Sequence, residues 1–183
     1  MNLQLNEQRE GSQAIVFFDR QKNRVYKVFK SFKHPSNSDQ RDLKEVEFNE
    51  WKRNIYNSEK TAYDKIAKSN VKEFFPVCYN DVTIEKIDNE NGLDISDCFL
   101  LDCVLTLDLV SGDCDKQSLM REECKNKGVD LQDIFNELKK IGVNFFIDSS
   151  VFCDDEGIKI IDIATNDFED FQPQLNIDFD FKY

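Results

Sequence analysis

The feature that most constrains this chain is the stretch QAIVFFDRQKNRVYKVFK at residues 13 to 30. Ala14-Ile15-Val16-Phe17-Phe18 forms one apolar run, Asp19 to Asn23 is a polar turn, and Val25, Tyr26, Val28 and Phe29 follow around Lys27. Two β-rich runs joined by a short polar segment predict a hairpin. The next periodic stretch is helical: Val46, Trp51, Ile55, Ala62, Tyr63 and Ile66 recur near helical spacing, and Ser69-Asn70 and Pro76 stop it. Between these two, Lys33 to Asp42 (KHPSNSDQRD) has no apolar period and is expected to be a mobile connection.

Further along, Phe75 to Ile87 is strand-like, Asp88 to Gly92 is a turn, and Cys98 to Val110 is an apolar run ending at Ser111-Gly112, so a second hairpin is expected. Leu119 to Leu138 carries Leu131, Ile134, Phe135 and Leu138 among charges and predicts a helix ahead of Gly142. A last hairpin runs from Val151-Phe152-Cys153 through Asp154 to Gly157 into Ile158 to Ile163. The tail FEDFQPQLNIDFDFKY alternates aromatic and acidic residues, the pattern of an edge strand or a partner-facing segment. No internal repeat interrupts this order.

Charge narrows the function classes. The 24 Lys+Arg against 36 Asp+Glu give a net charge of −12, which argues against a general nucleic-acid binder, since phosphate affinity needs clustered cations, and favours a basic protein partner. With 40% hydrophobic residues, 16 of them Phe, the chain has enough apolar material for a core of one domain or two small lobes. No run approaches the roughly 18 apolar residues of a membrane span, and the opening MNLQLNEQREGSQ lacks the basic and apolar segments of a secretory signal. The expectation is a cytoplasmic protein with no membrane partner. The six cysteines contain no C-x-x-C pair and His34 is the single histidine, so reduced structural thiols are expected rather than a zinc site.

The order of hairpin with lysine, helix, strands, Gly-containing connection, helix and short hairpin with an Asp resembles a minimal, degenerate protein kinase over about residues 8 to 165. Glu10-Gly11-Ser12-Gln13-Ala14-Ile15-Val16 is similar to the second half of a kinase glycine-rich loop and its valine, with one glycine where three are usual. Lys27 in VYKVFK matches the kinase lysine that reaches the nucleotide phosphates; without the resemblance, such a lysine would simply face water. The resemblance implies a carboxylate partner on the following helix. Glu59, one turn before Ala62-Tyr63, is the choice, with Glu47 and Glu50 as alternatives. Asp162, at the end of GIKIID, matches the magnesium-binding Asp, with Ile163-Ala164 in place of Phe-Gly.

The departure lies in KKIGVNFFIDSSVFCDDEGIKIID. Laid on a kinase catalytic loop, this segment puts Asn144 and Phe145 at the usual His and Arg, Phe146 at the catalytic Asp and Val151 at the metal-binding Asn. Phenylalanine cannot accept the hydroxyl proton, and valine cannot hold a metal. Asp148, two residues late, is the candidate displaced base. About twenty residues follow Asp162, too few for the helical bundle on which kinases dock peptides.

The resemblance therefore implies an α+β, minimal two-lobed kinase-like fold: an antiparallel N-lobe over 1–110, and a truncated helical C-lobe over 111–183 with the degenerate loop and the tail. The expected function is a pseudoenzyme acting through protein–protein interaction, with ATP and Mg²⁺ as its cofactors if the cleft at Ser111-Gly112 binds nucleotide through Gly11, Ser12, Val16, Lys27, Glu59 and Asp162, the last holding the metal. Two other readings stay open: an acidic immunity or antitoxin-type protein that neutralises a basic toxin, and an atypical active phosphotransferase using Asp148.

Overall fold

A computed structural model describes residues 1–4, 8–40, 43–145, 149–155 and 157–165. It is an α+β fold built on a mostly antiparallel sheet, with three α-helices among the described residues. The expected first hairpin is β3 (Ala14–Asp19) and β4 (Arg24–Lys30), preceded by the short strands β1 (Asn2–Gln4) and β2 (Gln8–Glu10). Asn23 turns the hairpin with φ 54°, a left-handed conformation that Asn tolerates. β5 (Cys78–Tyr79) and β7 (Phe99–Asp108) complete a five-stranded sheet in the order β2-β3-β4-β7-β5.

Both faces of the sheet are covered at β3, β4 and β7, which is why these three strands read as nearly continuous apolar runs. On one face Ala14, Phe29, Cys103, Leu105 and Leu107 join a core that continues through the helices as far as Ile163. On the other, Ile15, Phe17, Tyr26 and Val28 pack with Leu3, Ile84, Ile87 and Phe99. The expected second hairpin is realised in part: of the stretch Phe75 to Ile87 only Cys78–Tyr79 pairs with β7, and the second layer takes Ile84 and Ile87. β6 (Lys86–Asp88) does not stay beside β7; it pairs in parallel with β1, delivering Ile87 and Leu3 to the covering layer.

Helix α1 (Glu45–Ile66) follows β4, with Glu45 and Glu47 in its first turn and Lys65 in its last, both favourable to the helix dipole. Its buried stripe is Phe48, Lys52, Ile55, Glu59, Ala62, Tyr63 and Ile66, at helical spacing. Phe48 takes the place that the sequence pattern gave to Val46, which is 75% exposed. The segment before the helix contains an ordered 3-10 turn, Pro35–Gln40, rather than a wholly mobile connection. Asn37 Nδ2 donates to Ser31 O at 2.8 Å, tying that turn to the end of β4.

After β7 the chain crosses to a small sheet of β8 (Asp113–Lys116), β10 (Ser150–Asp154) and β11 (Gly157–Ile160), in the order β11-β10-β8. Gly112 makes the crossing possible. A Cβ there would lie 2.3 Å from Cys153 O, and its φ of 107° disfavours any other residue. The expected single helix is two, α2 (Gln117–Asn126) and α3 (Leu131–Lys140), broken at Gly128 with φ 76° and restarted by Asp130, whose side chain accepts from Gln132 N at 2.8 Å. The last hairpin is β10–β11, but Ile163 leaves it for β12 (Ile163–Thr165), which pairs with β9 (Val143–Phe145). The acidic-aromatic tail lies outside the described residues, among which no helix is long and apolar enough to cross a membrane.

Candidate functional site

Strand register builds one wall of a cleft from two cross-strand rows. Arg9 pairs with Val16 and Val16 with Lys27, so these three side chains share one face of the sheet. Two residues along, Phe18 pairs with Val25, Val25 with Leu107, and Leu107 with Cys78. The first row carries charge at both ends; the second is apolar throughout. Leu109 and Val110 close the apolar end, and Phe152 from β10 with Ile161 and Asp162 forms the opposite wall. The cleft encloses about 160 Å³, well beyond the roughly 10–15 Å³ that one water requires.

The polar end is organised around Lys27. Its Nζ donates to Glu59 Oε1 at 2.7 Å and Oε2 at 2.9 Å, and reaches Asp162 Oδ1 at 3.5 Å. Glu59 is brought there because it lies on the buried stripe of α1, one turn before Tyr63 and within the helix that packs against β12. Burial opposes the Lys27 ammonium, but the two carboxylates outweigh it and hold its pKa above the ordinary lysine value. The lysine is therefore charged at neutral pH, its ammonium directed at Glu59 and Asp162.

Asp162 sits where the chain leaves β11, with φ 63°, a conformation that Asp adopts more readily than most residues. Ser149 Oγ donates to its carbonyl at 2.7 Å, holding that turn, while the carboxylate remains about half exposed. Behind the ion pair, Tyr63 is 2% exposed and its hydroxyl has no hydrogen-bond partner among the described residues. Burial, with Glu59 and Asp162 nearby, pushes the phenol well above its ordinary pKa, so it remains a donor. Asp108 also borders the cleft, but its carboxylate already accepts from Val77 N at 3.0 Å and Tyr79 Oη at 2.7 Å.

Of the residues singled out in the sequence, Val16, Lys27, Glu59 and Asp162 meet in this cleft. Glu47 and Glu50 are exposed on α1. Gly11 and Ser12 lie at the exposed β2–β3 turn and do not line the cleft. That turn is tied back on itself and onto β4: Gly11 N donates to Ala14 O at 2.9 Å, and the buried Lys30 donates to Gly11 O at 2.7 Å and Glu10 Oε1 at 2.6 Å. Phe146 and Asp148 fall outside the described residues. Val151 is fully buried in β10. Among the described residues no three His, Cys, Asp or Glu side chains converge as a metal site.

Sequence reasoning missed Arg9, Phe18, Val25 and Tyr63. Phe18 and Val25 could have been found from Val16 and Lys27, because residues two apart on a strand share a face. Arg9 gave no such signal, since Gln8-Arg9-Glu10 contains no apolar residue to mark a strand. Cys78 extends the apolar row, and burial pushes its thiol up to about 11, which leaves it neutral. No protein-family model, curated protein or solved structure matches this chain.

Proposed function

We propose that this chain is a minimal, kinase-like pseudoenzyme that binds a nucleotide in the cleft between its large and small sheets and acts through a protein partner. The observation that carries the reading is the position of Lys27 Nζ between Glu59 and Asp162 at one end of a slot whose lining is mostly apolar. A ligand that fits has a flat apolar part for Val16, Val25, Leu107 and Ile161 and an anionic part beside Lys27, which describes a nucleotide. Mg²⁺ on Asp162 would bridge its phosphates and offset the surrounding carboxylates.

Binding rather than phosphotransfer is favoured by Val151. At the position where the resemblance calls for a second metal-binding side chain, it is a fully buried valine in a strand. The net charge of −12 supports a basic protein as the partner, because complementary fields speed encounter. Occupancy of a slot between two sheets would bias their relative arrangement and with it the partner surface.

Calorimetric titration with ATP and Mg²⁺ tests the reading. Binding below millimolar concentration is expected, weakened in Lys27→Met through loss of the ammonium's field at the polar end of the cleft. No heat of binding up to millimolar ATP, with the protein folded, would overturn it.

A further inference from the structure

The cleft contains a second cation whose role the Lys27 pair does not explain. Lys27 has three N–H donors, and the structure directs two to Glu59 and the third toward Asp162, so its hydrogen bonds are spent within the protein. The β2–β3 turn does not line the cleft, and it is tied to the sheet: Gly11 N donates to Ala14 O, and the carbonyls of Gly11 and Gln13 accept from Lys30. Arg9 is different. It borders the cleft from β2, is exposed, and makes no hydrogen bond or ion pair with any described residue.

Strand alternation fixes where Arg9 is offered. Glu10 turns to the opposite face and pairs with Lys30, so Arg9 faces the cleft side with Val16 and Lys27. Arg9 and Lys27 are two strands apart in one row, which separates their Cα atoms by about 10 Å. Both are long side chains, and both border the same slot. The charged residues around it are Arg9 and Lys27 against Glu59, Asp108 and Asp162, a net of −1 that becomes −2 without Arg9. An anion entering this field needs a cation with free donors.

We propose that Arg9 is the anion-binding residue of the cleft, its guanidinium clamping the phosphate chain of the nucleotide from above in place of the loop amides of Gly11 and Ser12. This rests on the nucleotide reading of the same cleft. Guanidinium presents paired N–H donors that match two phosphate oxygens at once, so one side chain replaces several backbone donors. It also explains how a chain of strongly negative charge holds a polyphosphate: Arg9 supplies the free donors beside Lys27, and Asp162 would hold a Mg²⁺ that offsets the remaining negative charge.

The test is calorimetry on the full chain with Mg²⁺, titrating adenosine, ATP and tripolyphosphate into wild type, Arg9→Ala, Arg9→Lys and Lys27→Met, with urea midpoints to establish folding. In Arg9→Ala, the affinity for ATP and for tripolyphosphate is expected to fall about tenfold, the loss of a charge-assisted contact, while adenosine binds as in wild type. Arg9→Lys should recover part of the loss. ATP binding unchanged in Arg9→Ala but lost in Lys27→Met overturns the Arg9 assignment and leaves the nucleotide reading standing. Wild type that binds none of the three ligands overturns both.

Discussion

Lys27 and Lys52 are two lysines withdrawn from water within one sheet–helix layer, and their surroundings drive them in opposite directions. Lys27 meets two carboxylates, and its pKa is raised. Lys52, on the buried stripe of α1, is 1% exposed; its ammonium donates to the neutral Gln13 Oε1 and lies 5.0 Å from the Phe48 ring and 4.8 Å from the Trp51 ring. Burial, assisted by repulsion from Lys30, lowers its pKa to about 8. Burial alone therefore does not define a site. What separates Lys27 from Lys52 is whether opposite charge waits for it, and whether a cleft lies beyond it.

The largest effect should come from breaking the Lys27 pair. Glu59→Ala leaves a largely buried ammonium with only the half-exposed Asp162, and is expected to cost about 3–4 kcal/mol in urea denaturation. Lys27→Met combined with Glu59→Leu removes both charges, so its cost should be well below that of Glu59→Ala. A double variant as unstable as the single would show that packing, not the unpaired charge, dominates.

Next is the pH dependence of Lys52. Its folded pKa of about 8 lies below the ordinary lysine value, so between roughly pH 8 and 10.5 the unfolded chain binds more protons and stability rises with pH. That contribution approaches about 3 kcal/mol across the window. Lys27 has the opposite sign: its raised folded pKa stabilises the protein below the unfolded value, and this is lost as pH rises through the folded one. Lys52→Met should be more stable than wild type at pH 7 and lose the rise above pH 8. An unchanged slope would place the lysine in water.

The smallest effect should be at an exposed pair. Arg53 Nη1 lies 2.6 Å from Asp102 Oδ2, but both side chains are more than one-third exposed, so Arg53→Ala should cost about 0.5 kcal/mol or less. A loss comparable to that of Glu59→Ala would break the distinction between buried and solvated charge.

The same comparison explains what could be read in the sequence. Alternation around Lys27 and the helical stripe through Glu59 were legible because each residue is flanked by apolar neighbours at the right period. Lys52 was not: Phe48 and Ile55, about one turn to either side, mark its face, but a lysine between Glu50 and Arg53 carries no sign of its own burial. Arg9 and the parallel pairing of β1 with β6 depend on partners distant in sequence, and short polar strands carry no pattern to announce them. Gly128 was a visible break signal, yet charges on both sides let two helices read as one.

The most direct measurement of the central claim is a crystal structure of the full chain with a non-hydrolysable ATP analogue and Mg²⁺. The account predicts the base between Val16, Val25 and Leu107 on one side and Ile161 on the other, with the phosphates between Lys27 and Arg9 and the metal on Asp162. A nucleotide bound elsewhere, or this slot left unoccupied at saturating analogue, would contradict it.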